Sequence, residues 1–164
     1  MRCVVDTSVW INLHNGNILL QALLLTNRGW EFYITDAVAR ELEEPSCKTL
    51  EQNGIKRYSL SDNQVSETET LRKQKRGLSV ADASSIVAAQ VLQALILTDE
   101  RSLREKAQEL QIEVHGTLWL LDQLVAAQLI NNMTVRDALD RMIAAGAWFP
   151  REEVSRLKTR YNCP

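Results

Sequence analysis

The sequence predicts an α/β fold, a three-layer α/β/α sandwich around a mostly parallel central sheet. Two observations lead to this fold class. Short apolar runs with the length of buried strands alternate with longer stretches of helical apolar periodicity along the 164 residues. No repeat, low-complexity tract or Pro/Gly-rich linker interrupts the alternation. Such alternation is typical of a parallel sheet with helices packed on it.

The individual elements follow from the same pattern. Apolar runs predict strands at residues 3–5, 32–34, 94–97 and 112–114, with a weaker candidate at residues 55–60. Apolar positions at helical spacing predict helices at residues 8–13, 18–27, 36–44, 62–75, 80–93, 102–110, 118–127 and 135–145. Each predicted strand is followed by a helical pattern, which favours parallel strands joined by helices.

Length and composition predict one globular domain over residues 1–164, with 45% hydrophobic and 24% charged residues. The longest apolar stretch, residues 18–25, is broken by Gln21 and is shorter than the roughly 20 residues that a membrane-spanning helix needs. The N-terminus reaches Asp6 after two valines, so it lacks the apolar region of a secretory signal. We therefore expect a cytoplasmic protein without a membrane partner.

Cysteine usage and net charge exclude some classes of site. Cys3, Cys47 and Cys163 are an odd number without CxxC spacing, which argues against a disulfide framework and against a thiolate zinc site. We expect reduced thiols. A formal charge of −2 provides no overall basic field, so a nucleic-acid partner would need a local basic patch and metal ions.

Two acids directly follow predicted strands. Asp6 comes after Val4 and Val5, and Asp99 comes after the run that ends at Thr98. Open parallel sheets bind ligands outside the carboxyl ends of their strands, so both carboxylates are expected at one edge of the sheet. Each residue has a structural alternative, because Asp commonly caps the N-terminus of a helix.

Two further acids lie on predicted helices. Glu41 follows Val38 by three residues, which places it on or beside an apolar stripe, and an inward carboxylate must be paired, protonated or metal-bound. Asp82 begins a helix whose small residues would allow close approach to other backbone. The alternative for Asp82 is a capping box in which Ser79 is the N-cap residue.

Together, Asp6, Glu41, Asp82 and Asp99 predict a cluster of hard oxygen ligands, which suits Mg²⁺ or Mn²⁺ better than zinc. A divalent ion in such a cluster can activate water and offset the charge that develops on a phosphate. The expected chemistry is hydrolysis of a phosphodiester. No Gly-rich phosphate loop, GxSxG or HExxH motif points to another reaction.

Four segments, in this order and spacing, resemble the PIN domain family: VVDTS at residues 4–8, VAREL at 38–42, LSVADA at 78–83 and LTDE at 97–100. The resemblance covers about residues 3–125. We therefore predict a PIN-like core at about residues 1–125, followed by a C-terminal helical extension at about residues 126–164. It implies a nuclease with metal binding at Asp6, Glu41, Asp82 and Asp99. Thr7 and Thr98 are implied as supports, and Glu100 is an adjacent acid that could replace Asp99.

The resemblance also implies a substrate and partners. Many bacterial PIN proteins are ribonuclease toxins of VapBC toxin–antitoxin pairs. We therefore expect an endoribonuclease that cuts single-stranded RNA, with a small antitoxin and a homodimer as partners. The apolar C-terminal helices, with Trp148 and Phe149, are the expected protein-binding surface.

The alternative is a catalytically silent PIN-fold module that binds nucleic acid or protein, in one version as a metal-sensitive switch resembling a receiver domain. A receiver needs a Lys at a later strand end, and no convincing one follows Asp99. All four acids are intact, which disfavours the silent module.

A basic run precedes Asp82 in the chain. Arg72, Lys73, Lys75 and Arg76 could hold the phosphates of a bound RNA strand, although they could equally be the solvated end of a helix. The two histidines, His14 and His115, lack ligand spacing, and the four tryptophans are expected to pack in the core or at interfaces.

Overall fold

The computed structural model describes residues Met1–Tyr161; Cys163 and the other residues of the segment 162–164 lie outside the described part. Its centre is a five-stranded parallel sheet in the order β3-β2-β1-β4-β5. The strands are β1 (Arg2–Val5), β2 (Glu31–Thr35), β3 (Lys56–Tyr58), β4 (Leu95–Leu97) and β5 (Val114–His115). The α/β fold class and the parallel sheet expected from the sequence are confirmed.

Helices connect the strands and cover the sheet. They are α1 (Thr7–Asn15), α2 (Leu19–Leu23), α3 (Asp36–Glu41), α4 (Cys47–Gln52), α5 (Asp62–Gln74), α6 (Val80–Leu92), α7 (Arg101–Glu109), α8 (Thr117–Ala126), α9 (Asn132–Ala144) and α10 (Arg151–Arg160). A 3-10 helix, Leu24–Arg28, continues α2.

The strand order places the ends of β1 and β4 at the centre of the sheet. Strand β1 pairs with β2 on one side and β4 on the other, with Val5 opposite Leu97. Chain order therefore reverses between β1 and β4, and a crevice outside the carboxyl ends of the strands forms at such a switch point. Both Asp6 and Asp99 follow these two strands.

Several predicted helix bounds differ from the structure. The predicted helix at residues 18–27 is split into α2 and the 3-10 helix, whose C-cap residue Gly29 has a positive φ of 83°. The predicted helix at residues 36–44 ends at Glu41, because Leu42 is extended. The predicted strand at residues 112–114 begins only at Val114.

Helices α4 and α10 were not predicted. Helix α4 has six residues and begins at the N-cap residue Ser46, whose hydroxyl oxygen accepts the Thr49 N–H. Helix α10 is mostly charged, and Leu157 is its buried residue. Too few apolar positions repeat in either segment for a helical period to be visible.

Two apolar clusters lie on opposite faces of the sheet. The smaller contains α6 residues such as Ile86 together with Leu103 of α7. The larger joins β1 and α1 to the C-terminal segment, and includes Val135 and Leu139 of α9 and Phe149. The helical extension therefore shares its core with the sheet.

The described part of the chain contains no helix that is both long and apolar enough to cross a membrane. Cys3 and Cys47 are free thiols. Burial raises the pKa of Cys3 to about 12, so this thiol stays protonated and unreactive.

Candidate active site

Asp6 is the buried centre of the site. It is the N-cap residue of α1, and its Oδ2 atom accepts hydrogen bonds from the Ser8 hydroxyl at 2.7 Å, the Ser8 N–H at 3.4 Å and the Thr98 hydroxyl at 2.9 Å. The side chain is 3% exposed. Burial is the main cause that raises the pKa of Asp6 to about 6, and the charge of Asp82 raises it further. The capping alternative for Asp6 is thus confirmed.

Asp82 faces Asp6 from the start of α6. It forms a capping box with Ser79: the Ser79 N–H donates to Oδ2 of Asp82 at 2.8 Å, and the Asp82 N–H donates to the Ser79 hydroxyl oxygen at 2.9 Å. Asp82 is only 6% exposed, and its neighbours Ala81 and Ala83 are buried. The small residues allow α6 to pack against β1 and β2, which brings the carboxylate to Asp6.

Asp99 is held by α1 and α8. Its Oδ1 accepts the Thr117 N–H at 2.9 Å, and its Oδ2 accepts the Asn12 amide at 2.9 Å and the Thr117 hydroxyl. The carboxylate therefore caps the first turn of α8, although the chain reaches Thr117 eighteen residues later. Ser8 connects it to the buried pair, because the Asp99 N–H donates to the Ser8 hydroxyl oxygen at 3.1 Å.

Glu41 lies at the rim of the site. The Thr7 hydroxyl donates to its Oε2 at 3.1 Å, so Glu41 is tied to the residue next to Asp6. Its side chain is exposed. The expectation that Glu41 faces the core was wrong, because α3 ends at this residue and only Val38 of the helix is buried.

Of the four acids, Asp6 and Asp82 form a buried pair, and Glu41 and Asp99 lie outside it. Within residues 1–161, no group of three or more His, Cys, Asp or Glu side chains is arranged to hold a metal ion. This arrangement differs from the single four-acid cluster that was expected. The buried pair nevertheless fits a divalent cation. The three hydrogen-bond donors to Asp6 are neutral, so they do not cancel the charge of its carboxylate, and all three bind the same oxygen, Oδ2. Two carboxylates that share a buried site need a positive charge to remain ionised together.

Comparison with known proteins places this chain in a family. A family model described as DUF3368: PIN domain matches residues 2–162. The chain belongs to this PIN domain family. PIN domains are generally nucleases and generally use divalent metal ions.

Solved structures support the PIN fold. A PilT N-terminus domain protein, SSO1118, from the hyperthermophilic archaeon Sulfolobus solfataricus P2 superposes with a TM-score of 0.52 at 19% identity, covering 76% of this chain and 93% of that one. PAE2754 from Pyrobaculum aerophilum gives a TM-score of 0.51 at 17% identity, covering 77% and 99%. No functionally curated protein matches this chain.

The predicted support residues of this PIN domain have separate positions. Thr98 is fully buried; it donates to Asp6 and accepts the Glu100 N–H at 3.0 Å. Thr7 contacts Glu41. Glu100 is exposed and is the N-cap residue of α7, so Asp99 is the better placed of the two adjacent acids.

The predicted basic run divides into paired and unpaired members. Lys75 binds Glu105 at 3.1 Å and Glu109 at 3.4 Å on α7, so its charge is neutralised within the fold. Arg72 donates to the Leu78 carbonyl and lies 3.5 Å from Glu69. Within residues 1–161, Lys73 and Arg76 form no salt bridge. The phosphate-binding prediction therefore rests on these two side chains.

Sequence reasoning missed three polar residues that organise the PIN site: Ser8, Asn12 and Thr117. Ser8 links Asp6 to Asp99, and Asn12, one turn later on α1, donates to Asp99. The spacing of four between Ser8 and Asn12 was a signal that both face one side of the helix. Thr117 had no local signal, because its partner lies on another element.

Proposed function

We propose that this PIN domain is a divalent-metal-dependent endoribonuclease that cuts single-stranded RNA. The observation that carries the proposal is the buried pair Asp6 and Asp82, which lies at the switch point of a parallel sheet. Carboxylate oxygens in this arrangement suit Mg²⁺ or Mn²⁺. Membership of a family that generally consists of nucleases gives the pair its expected reaction.

The roles proposed for the acids follow their positions. Asp6 and Asp82 would hold the metal, and Asp99 would complete the ligand set from the side of α8. When bound, the ion supplies Lewis-acid chemistry that offsets the charge developing on the phosphate.

Glu41 is assigned to the attacking water. It is exposed and touches the site through Thr7, so its carboxylate can orient a water molecule at the rim and take a proton from it. Binding metal directly is the other role open to Glu41. Ser8 and Thr98 fix the orientation of Asp6 by hydrogen bonds to Oδ2.

The test of this proposal is cleavage of a labelled single-stranded RNA pool in Mn²⁺ or Mg²⁺, with EDTA as the metal-free control. Asp82→Asn should abolish cutting while its amide oxygen keeps the capping box. Asp62→Asn is the matched control, since Asp62 is an exposed acid in the first turn of α5. Full activity of Asp82→Asn, or equal loss in both variants, would contradict the assignment.

We propose in addition that the chain acts as the toxin of a toxin–antitoxin pair, with a small antitoxin and a homodimer as partners. The support is the resemblance to VapBC toxins. One of the two surface residues expected for such contacts is not available, because Phe149 is buried in the core. A monomeric mass in solution, with no small reading frame adjacent to the gene, would contradict this role.

A catalytically silent PIN-fold module that binds nucleic acid or protein is the second candidate, and one observation favours it. Both oxygens of Asp99 are engaged by α1 and α8, so only Asp6 and Asp82 form a close acidic pair among the four acids. Such a module would bind Mn²⁺ in a titration and retain single-stranded RNA without cutting it. Cutting that depends on Asp82 would exclude it.

A further inference from the structure

A cleft of about 550 Å³ opens beside the candidate active site. Asp99 and Gly116 line one wall, and its other sides come from α7, α8, α10 and the segment that contains Trp148. Its volume lies in the range of pockets that hold small ligands, roughly 300–1,000 Å³. Because Asp99 borders both the cleft and the buried acids, an occupant of the cleft would lie next to the place proposed for metal.

Arg104 brings a positive charge to the end of the cleft nearest Asp99. Its Nη1 donates to the Thr98 carbonyl at 2.9 Å, which fixes the guanidinium at the end of β4. Within residues 1–161 it forms no salt bridge. Gly116 leaves room for both side chains, because a Cβ atom there would collide with Asp99 Oδ1 and would lie 3.1 Å from Arg104 Nη1. The remaining donors of this guanidinium suit a phosphate.

Arg101 adds a second cation at the mouth of the cleft. Its side chain is 92% exposed and binds Glu105 at 2.7 Å. Glu105 also binds Lys75, so two cations share this carboxylate. Glu153 of α10 is the other acid besides Asp99 and Glu105 on the lining, so three acids face two arginines there. The salt bridge from Lys75 to Glu105 offsets the one extra negative charge.

Aromatic rings supply the remaining surface. The His115 ring stacks on Trp119 with centroids 4.0 Å apart and planes 8° apart, and both rings line the cleft. Trp148 also lines it and is 77% exposed, whereas its neighbour Phe149 is buried. Because Phe149 is anchored in the core, the adjacent Trp148 is positioned at the surface, where a base can stack on its ring.

We propose that this cleft binds one nucleotide of the RNA strand beside the phosphate that is cut, with its base on Trp148 and its phosphate on Arg104 and Arg101. The inference rests on the proposed ribonuclease function and deepens it. Stacking on aromatic side chains combined with cations along the backbone is how proteins bind single strands without reading their sequence. Such a cleft would favour single strands, because their bases are free to stack on Trp148 whereas paired bases are already stacked within a helix.

The test measures binding separately from cutting. Fluorescence anisotropy of a labelled oligouridine is recorded in EDTA, where no metal-dependent cleavage occurs. Trp148→Ala should lower the affinity about tenfold, within the range for loss of one base–aromatic stack. Trp148→Phe should restore most of it. Met133→Ala is the matched control, since Met133 is an apolar side chain on α9 with 67% exposure.

The arginines are tested by the salt dependence of the same binding. Removing one cation that binds a phosphate should reduce the slope of log affinity against log salt by about 0.7. This reduction is expected for Arg104→Gln and for Arg101→Gln, and not for Arg141→Gln, a control at an exposed cation of α9. Arg101 is almost fully exposed, so its variant tests the proposal even if Arg104→Gln fails to fold.

A single abasic position moved along the oligouridine locates the stacked base. In the wild-type protein one position should weaken binding most, and that penalty should disappear in Trp148→Ala. Unchanged affinity and salt slope in the Trp148 and Arg101 variants would overturn the cleft assignment even if the protein cuts RNA. Loss of binding in these variants, with no cutting by the wild type, would instead support the cleft and contradict the nuclease.

Discussion

Asp6 and Asp99 are connected through a single hydroxyl group, that of Ser8. The hydroxyl donates to Oδ2 of Asp6 at 2.7 Å and accepts the Asp99 N–H at 3.1 Å. Two loops that leave neighbouring strands are thereby held at a fixed separation. The bond to Ser8 also lowers the pKa of Asp6, which opposes the effect of burial.

Ser8→Ala should weaken metal binding. Loss of the hydroxyl removes a hydrogen bond that stabilises the ionised Asp6, and loss of such supporting interactions typically costs about 10–100-fold in metal affinity. Titration calorimetry with Mn²⁺ measures the change. Ser66→Ala is the control, because Ser66 is an exposed residue of α5 whose hydroxyl donates to the Asp62 carbonyl, away from the site. Equal affinities in wild type and Ser8→Ala would refute the role of this bond.

Asp6→Asn should stabilise the metal-free protein at neutral pH. Because the pKa of Asp6 is raised from 3.8 to about 6, the folded chain holds a proton that the unfolded chain releases. Its contribution to stability is therefore present below about pH 4 and is lost as the pH rises through 6. The loss is about 3 kcal/mol at most, since one pKa unit corresponds to about 1.4 kcal/mol.

Thermal unfolding in EDTA at pH 4 and at pH 7.5 checks this prediction. The variant should unfold at a higher temperature than wild type at pH 7.5 and at a similar temperature at pH 4. Added Mn²⁺ should raise the unfolding temperature of wild type only. A variant that is less stable at pH 7.5 would show that the charge of Asp6 is compensated within the fold.

Asp99→Ala should destabilise the protein even without metal. The substitution leaves the Thr117 N–H without its acceptor and leaves the Asn12 amide with only the long bond to the Thr117 hydroxyl at 3.4 Å. A buried group that loses its partner costs about 1–3 kcal/mol. Urea unfolding measures the difference. Glu41→Ala is the comparison, because this exposed acid should change stability by no more than about 0.5 kcal/mol. Equal stability of the two variants would contradict the cap on α8.

Glu41→Gln should reduce RNA cleavage by on the order of 10²-fold, the lower limit for loss of a residue that transfers a proton. The fold should be unaffected, since the Thr7 hydroxyl can still donate to the amide oxygen. Initial rates at saturating Mn²⁺ provide the measurement. Glu43→Gln, an exposed acid two residues away, should cut as wild type does. If both variants cut at the wild-type rate, Glu41 has no part in the reaction.

The sequence predicted the parallel sheet because buried strands leave continuous apolar runs such as Cys3–Val5 and Leu95–Leu97. It also indicated the ends of β1 and β4 as the place for chemistry, since position in a parallel sheet follows from chain order. The prediction for Glu41 was wrong, because helical spacing shows which residues lie on the same face of a helix but does not show where the helix ends. It could not show that Asp99 is turned toward α8, a contact that joins residues distant in sequence.

The contact between Asp99 and Thr117 also determines how much of the chain must be synthesised before the site can form. Asp6 directly follows the first strand, its partner Thr98 lies 92 residues later, and the cap on Asp99 comes from α8. Helix α9 then packs on α1 through the shared core. During synthesis, the surroundings of Asp6 are therefore complete only after most of the chain has been made. A growing chain that has not yet reached α8 therefore lacks the cap on Asp99, and its site is incomplete at that stage.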